Sequence, residues 1–410
     1  MTHSSGVVIV GGGLAAVKSA GALRQKGFDG PIAMFDQSKL MAYARPPLSK
    51  GFLLGKMSLP DFTMVNEQWF SEQHVDLNLG TAVTAINTVE RTVTLGDANR
   101  VGYDKLLLAT GSRARRLPVE GADAEGVYRL RTYEDAAALK DALTRSSSLV
   151  VIGAGFIGLE VAAVAREMGL EVSVVESGRL PLAPLGPEVG KVFADLHGEH
   201  GARLLPSTGV AEIVTEAGRA RGVRLTDGTT IDADAVLVAI GAQPNVELAE
   251  QAGLTVSGGG VLVDASLRTS QSDIFAVGDI ATATHPHYGV PVRSEHWATA
   301  ETQPTVAAAG IVGTEAVYDE LPYFYTDQYD LAMEYVGYAP RYERVVFRGD
   351  VDGRAFSAFW LDSDKQVLAG MNVNMMDGAG DIRKLIQSRS AANIAKLADC
   401  AVALTDTLAV

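Results

Sequence analysis

The chain has 410 residues, 47% hydrophobic and 20% charged, with a formal net charge of −14; that is too long for one core, so two or three domains of an ordinary globular enzyme are expected. The acidic balance argues against non-specific nucleic-acid binding, and no apolar run reaches membrane-spanning length. The single cysteine, Cys400, rules out an internal disulfide, a redox-active cysteine pair and a cysteine-ligated iron–sulfur cluster; with no signal-peptide pattern in Met1–Gly6, the expectation is a reduced, cytoplasmic protein.

Val7–Val10 reads as a buried strand. Gly11-Gly12-Gly13-Leu14-Ala15-Ala16 follows, the G-x-G-x-x-A form of a dinucleotide-binding turn, and a helical pattern runs on through Leu23. Ile32–Phe35 makes the next strand. Asp36 closes it, where an acid takes a ribose hydroxyl. In Tyr43-Ala-Arg-Pro-Pro-Leu-Ser-Lys50 two prolines fix φ and lack N–H donors, so they suit the first turn of a short helix that holds Lys50 in place. A rigid surface turn with a solvated lysine explains the same residues equally well. Val93–Leu95 with Asp97 is hairpin-like, and Lys105-Leu-Leu-Leu-Ala-Thr-Gly111 is an apolar strand ending in glycine.

The same plan then repeats. Leu149–Ile152 is a second buried strand, and Gly153, Gly155 and Gly158 stand in G-x-G-x-x-G order at the head of an alanine-rich helix. Gly153 serves the tight turn, Gly155 the approach of a pyrophosphate, and Gly158 close packing of helix on strand. The helix start offers N–H groups and a positive dipole end to phosphate. Glu171–Val175 is the following strand, and Glu176 closes it at the expected distance. Val223–Leu225 with Asp227-Gly228 is again hairpin-like, and Ala235-Val-Leu-Val-Ala-Ile-Gly241 again ends in glycine.

Phe275-Ala-Val-Gly-Asp279 is a short strand that delivers a carboxylate at its C-terminal end, where ligands bind in open α/β sheets. Ser294 to Gly313 reads as a helix with Trp297 in its first turn. From about Phe324 the character changes. Leu331–Val336, Glu343–Arg348, Ala355–Trp360 and Val367–Met371 alternate as short strands, and helical patterns run from Asp381 to the end. The fold class is α/β, with two Rossmann-like nucleotide-binding domains that share a plan and a C-terminal α+β domain.

The residues resemble one family closely: the FAD-dependent, NADH-oxidising ferredoxin reductases of bacterial cytochrome P450 and Rieske-oxygenase systems. The likeness runs through Val7–Ala16, Arg45–Lys50, Leu108–Gly111, Arg129–Thr132 with Glu134-Asp135, Val151–Glu160, Asp273–Asp279 and Tyr325-Thr-Asp-Gln-Tyr329. Arg-Pro-Pro-Leu-Ser-Lys is the most specific part. The resemblance implies a nested, glutathione reductase-like layout: a discontinuous FAD domain (1–114 and 247–322), an NADH domain inserted into it (115–246) and a C-terminal domain (323–410). It implies non-covalent FAD contacts at Gly11, Gly13, Leu14, Ala15, Ala16, Asp36, Arg45, Lys50, Val83, Ala109, Thr110, Gly111, Arg131, Asp279 and Trp297. NADH contacts follow at Gly153, Gly155, Phe156, Ile157, Gly158, Glu160, Glu176 and Gly241. It also implies that Lys50 sits by the flavin N5 region, paired with Glu160, and a Lys–Glu pair there holds one geometry for hydride transfer. No metal site is expected.

The expected activity is therefore oxidation of NADH through FAD, with single electrons passed to a [2Fe–2S] ferredoxin that docks at a basic patch near the flavin edge despite the acidic total. Glu176 favours NADH over NADPH by repelling a 2′-phosphate, whereas Arg179 just beyond could serve one. The proline-rich run Leu180–Pro184, Trp297 and the segment Asn372–Gly380 depart from the family pattern and bear on the electron acceptor. Two other readings stay open. A disulfide or peroxide reductase on this scaffold needs a cysteine by the flavin, and Cys400 is solitary. A redox-sensing protein like apoptosis-inducing factor shares the fold, and slow flavin reduction would mark it. Rubredoxin, or a nitrite-reductase module, is an alternative acceptor or setting.

Overall fold

The computed structural model describes residues 6–375 and 378–409. Most of Met1–Gly6 and the centre of Asn372–Gly380 thus lie outside the described residues. The chain forms two compact units. The first takes in the chain up to Ala44, then Leu59–Arg113 and Gln243–Pro322; the second takes in Arg45–Ser58, Ala114–Ala242 and the chain from Tyr323 on.

The first unit is built on a parallel sheet. Its strands lie in the order Ile274–Ala276, Lys105–Leu108, Val7–Val10, Ile32–Asp36, Val75–Leu79. The central strand Val7–Val10 is apolar at every position because both faces are covered, and Val8, Ile9, Leu106 and Leu107 are inaccessible. Helix Leu14–Gln25 packs on helix Trp297–Ile311. The latter starts at Trp297 rather than Ser294, since His296 is still extended (φ −89°, ψ 153°).

The second unit repeats the arrangement. Arg203–Leu205, Glu171–Val175, Ser148–Ile152, Ala235–Val238 and Val127–Tyr128 form another five-stranded parallel sheet. In both units the hairpin-like segment is part of a three-stranded antiparallel sheet: Val83–Asn87, Thr92–Leu95 and Arg100–Gly102 just before strand Lys105–Leu108 in one, Val210–Glu216, Arg219–Leu225 and Thr230–Asp232 just before strand Ala235–Val238 in the other.

The second unit also holds the C-terminal sheet, which is antiparallel throughout. Its order is Tyr323–Gln328, Leu331–Gly337, Val367–Val373, Ala355–Leu361, Arg344–Asp350. Four strands fall where alternation predicts them; Tyr323–Gln328 is an addition. Helix Ala379–Ser388 covers the sheet with Ile382, Leu385 and Ile386. The helical pattern does not run to the end of the chain. Arg389 turns left-handed (φ 52°), and among the described residues beyond it the only helical turns are Ile394–Ala398 and a 3₁₀ turn at Leu404–Asp406. Among the described residues no helix is long and apolar enough to cross a membrane.

Candidate active site

Within the first unit, the turn after Val10 is set by Gly11. Its φ is +116°, and a Cβ there would lie 2.3 Å from the carbonyl oxygen of Ala109. That contact seats Ala109, Thr110 and Gly111 directly beside the fingerprint. Helix Leu14–Gln25 begins at Gly13 with no side-chain cap and no acid in its first turn, so its N-terminal amides and dipole are left for an anion. The Asp36 carboxylate lies against Gly12, where a Cβ would meet Oδ2 at 2.5 Å, and Oδ1 accepts from the Ser38 amide at 2.8 Å. Val83, half-buried, opens its strand.

Asp279 is buried and accepts a hydrogen bond from the Ser112 hydroxyl at 2.7 Å. The amide of Gly278 donates to buried Gln303 at 2.7 Å, and a Cβ on Gly278 would come within 3.2 Å of the Ala15 Cβ. The Gly-Asp turn is thus fixed beside the first fingerprint helix. Asn245 exchanges hydrogen bonds with Thr110 through its carbonyl oxygen (2.9 Å) and its side-chain amide (2.8 Å). Trp297, 40% exposed, heads its helix. Burial pushes the neighbouring His296 imidazole down to about 4, against the pull of the Asp279 carboxylate. An uncapped helix start, a strand-terminal acid and a fixed buried carboxylate suit a dinucleotide such as FAD.

Within the second unit, the three glycines of the second fingerprint differ in their surroundings. Gly153 has φ +102°, with the Ala239 carbonyl oxygen 2.5 Å from where a Cβ would stand. At Gly158 a Cβ would be 2.1 Å from the Gly153 oxygen, so helix and turn are in contact. At Gly155 nothing lies within 4 Å, which leaves room for a ligand to reach the backbone. Helix Phe156–Glu167 again has neither cap nor acid in its first turn, in contrast to helix Tyr133–Arg145, which carries a full Thr132–Asp135 capping box. Phe156 packs edge-on against Phe324, and Ile157 is 43% exposed at the helix start.

Glu176 stands at the end of its strand and does a second job. Its carboxylate accepts from the amides of Ala154 (2.7 Å) and Gly178 (2.6 Å), so it braces the turn it would share with a ribose. Gly241 lies just beyond strand Ala235–Val238, and its carbonyl accepts from the Arg115 amide at 3.0 Å. Arg179 is exposed.

Pro46–Ser49 forms one 3₁₀ turn with Arg45 at its N-cap, and the Lys50 amide donates to the Pro47 carbonyl at 3.1 Å. This turn presents Lys50 to Glu160 rather than to solvent: Nζ lies 2.9 Å from Oε1, with Lys50 20% exposed and Glu160 6%. The Lys50 ammonium also lies 5.3 Å from the Tyr325 ring centroid. Arg131 leads into the capped helix, its amide donating to Asp135 at 3.0 Å.

Two members of this site carried no chemical reading in the sequence. The Ser49 hydroxyl donates to Glu160 Oε2, and the Thr326 hydroxyl donates to Oε1 at 2.6 Å. Glu160 therefore has donors on both oxygens. Ser49 stands beside Lys50 in the Pro-Pro-Leu-Ser-Lys segment, and Thr326 lies in the Tyr325–Tyr329 segment; those two stretches were the available signals. Cys400 is exposed.

The pyridine nucleotide-disulphide oxidoreductase family model matches residues 5–303, and the reductase C-terminal model matches residues 323–408. Rhodocoxin reductase of Rhodococcus erythropolis is 41% identical over 86% of this chain and 83% of its own. The anthranilate 1,2-dioxygenase system ferredoxin–NAD(+) reductase component of Burkholderia cepacia is 39% identical over 97% of this chain and 98% of its own. The reductase in the covalent putidaredoxin reductase–putidaredoxin complex matches with a TM-score of 0.93 at 34% identity, covering 99% of this chain and 98% of that one. The chain belongs to the pyridine nucleotide-disulphide oxidoreductase family, in the branch that carries a reductase C-terminal domain.

Proposed function

We propose that this chain is an NADH:ferredoxin reductase that serves a cytochrome P450 or a Rieske oxygenase. The observation that carries the reading is the buried Glu160 carboxylate, two residues beyond Gly158, held by Lys50, Ser49 and Thr326. That is a rigid charged pair at the point where a nicotinamide on the second fingerprint must pass.

FAD, when bound, takes two electrons together from a nicotinamide and releases them singly. The protein's own residues do the rest. The first fingerprint (Gly11, Gly13, Leu14, Ala15, Ala16), Asp36, Val83, Ala109, Thr110, Gly111, Asp279 and Trp297 are the FAD set, joined on the resemblance alone by Arg45, Lys50 and Arg131. Gly153, Gly155, Phe156, Ile157, Gly158, Glu176 and Gly241 take NADH, and Lys50 with Glu160 orients its nicotinamide. The acceptor is a [2Fe–2S] ferredoxin, docking at a basic patch near the flavin edge. The domain limits that follow are 1–114 with 247–322 for FAD, 115–246 for NADH and 323–410 for the C-terminal domain, and the setting is the cytoplasm.

The test is anaerobic stopped-flow mixing of the FAD-bound protein with NADH, with NADPH, and then with a panel of [2Fe–2S] ferredoxins. Fast bleaching by NADH and re-oxidation by some ferredoxins is the expected result. Bleaching over minutes, with no ferredoxin able to discharge the reduced protein, would reject the reductase and favour a redox-sensing protein. Discharge by a rubredoxin but by no ferredoxin would change the acceptor and keep the enzyme.

A further inference from the structure

Strand Tyr323–Gln328 turns two of its polar residues inward while Asp327 between them is exposed. Thr326 and Gln328, two positions apart, share its inner face and are 0% and 1% exposed. A buried polar face is stable only when its groups are bonded, and these are. Gln328 Nε2 donates to Thr326 Oγ1 at 3.2 Å, and Thr326 donates to Glu160 Oε1 at 2.6 Å. On its other side Gln328 Oε1 meets Nε2 of His197, a fully buried residue of helix Pro187–Glu199, at 2.9 Å. Tyr329 closes the far end with its hydroxyl 3.4 Å from His197 Nδ1, its ring stacked on His200 at 3.7 Å.

The donors and acceptors allow one direction. An amide nitrogen only donates, so Gln328 offers its carbonyl to His197, which must then carry its proton on Nε2 and accept at Nδ1. A hydroxyl has one proton. With the Gln328 amide on its lone pair, Thr326 has Glu160 as its outlet. Burial keeps the His197 imidazole neutral, pushed down to about 4, and holds the Tyr329 phenol protonated, pushed up to about 12. Every hydrogen bond from Tyr329 onward therefore donates toward the carboxylate.

We propose that Thr326, Gln328 and His197 are positioning residues for the nicotinamide reaction: a one-way hydrogen-bond chain that locks the Glu160 carboxylate beside Lys50. The proposal rests on the reading of Lys50 and Glu160 as the nicotinamide-side pair. Without the chain, the Thr326 proton has other directions open to it, and Oε1 is held by the long, flexible lysine alone.

The experiment has two parts. Limiting rates of flavin reduction by NADH are measured on FAD-bound Thr326→Val, Thr326→Ser, Gln328→Leu and Glu160→Gln, and on Thr326→Val combined with Glu160→Gln. Thr326→Val is expected to lower the rate about ten-fold, the effect of one charge-assisted hydrogen bond. NADH affinity changes little, and Thr326→Ser restores the rate. In the Glu160→Gln background Thr326→Val adds nothing, because its effect runs through that carboxylate. Separately, ¹⁵N-histidine NMR without NADH is expected to show His197 in the Nε2–H tautomer, perturbed by Gln328→Leu.

An undiminished Thr326→Val effect in the Glu160→Gln background, or an Nδ1–H tautomer for His197, would overturn the chain while leaving the pair's role intact. A wild-type rate in Glu160→Gln itself would overturn the role of the pair. Thr326→Val is nearly isosteric, so the proposal stays testable if Gln328→Leu does not fold.

Discussion

Lys50 and Glu160 lie 110 positions apart and meet at 2.9 Å, with the carboxylate nearly inaccessible and the ammonium partly open to solvent. The two ends of the pair are therefore unequal. An unpaired Lys50 can reach water, whereas an unpaired Glu160 cannot.

We predict that Lys50→Met destabilises the protein by about 1–3 kcal/mol, and Glu160→Gln by less than about 1 kcal/mol. In the double variant, Glu160→Gln recovers part of the Lys50→Met loss, since it removes the stranded charge. Urea denaturation of the four proteins measures the coupling. Additive losses would show that the pair does not interact in solution. Both single variants should also slow reduction of the flavin by NADH.

The two fingerprints differ at their third small residue, Ala16 against Gly158. Ala16 fits, fully buried, in the first. At Gly158 a Cβ would overlap the Gly153 oxygen, so helix Phe156–Glu167 must move. We predict that Gly158→Ala leaves FAD content at wild-type level and weakens NADH binding at least about ten-fold, with about 1–3 kcal/mol of overpacking. The flavin-to-protein absorbance ratio and an NADH titration check this. Loss of FAD together with NADH would contradict it.

The glycine turns and the strand-terminal acids were legible in the sequence because each depends on residues a few positions apart; the Lys50–Glu160 pair was implied only by the family resemblance that the Arg45–Lys50 segment carries. Strand Tyr323–Gln328 was not legible by alternation. Its inward residues are polar, and their partners, Glu160 and His197, stand 166 and 131 positions from Thr326 and Gln328. A pattern read from hydropathy cannot register a face whose burial is offset by remote hydrogen bonds. The extent of the last helix failed for a local reason: Arg389 takes a left-handed conformation that its side chain does not announce.

His197 makes the fold sensitive to acid. Its imidazole ordinarily titrates near 6.5 and is pushed down to about 4, chiefly by burial, so between these values the unfolded chain binds a proton that the native protein refuses. Its contribution is fully present above about pH 6.5 and is lost as pH falls toward 4. We predict a loss of about 2 kcal/mol from this residue between pH 7 and pH 5. His296, also pushed down to about 4, acts in the same direction. His197→Gln should flatten the profile over that interval even where it lowers stability at pH 7. A profile of unchanged slope would show that His197 is not the titrating group.

Ferredoxin docking should depend on salt although the chain carries 49 acidic and 35 basic side chains. If a basic patch meets an acidic partner, the second-order rate of ferredoxin reduction falls about ten-fold from low salt to several hundred millimolar, while first-order flavin reduction by NADH stays level. A salt-independent second-order rate would remove the basic patch from the account.

Coenzyme choice turns on Glu176 and Arg179. The Glu176 carboxylate is fixed by the amides of Ala154 and Gly178, so it cannot swing away to admit a 2′-phosphate. Arg179 is exposed three residues later, with no such anchor among the described residues. A fixed negative charge at the ribose outweighs a mobile positive one nearby, because holding the long arginine in place costs side-chain entropy. We predict that wild-type protein prefers NADH, that Glu176→Ala narrows the ratio of kcat/KM for NADH over NADPH at least about ten-fold, and that Arg179→Ala changes it little. Glu176→Ala also removes the brace from the fingerprint turn, so its kcat/KM for NADH itself should fall. If Arg179→Ala instead abolished an existing NADPH activity, the arginine would be the residue that reads the ribose, and the carboxylate would be left with the brace as its only task.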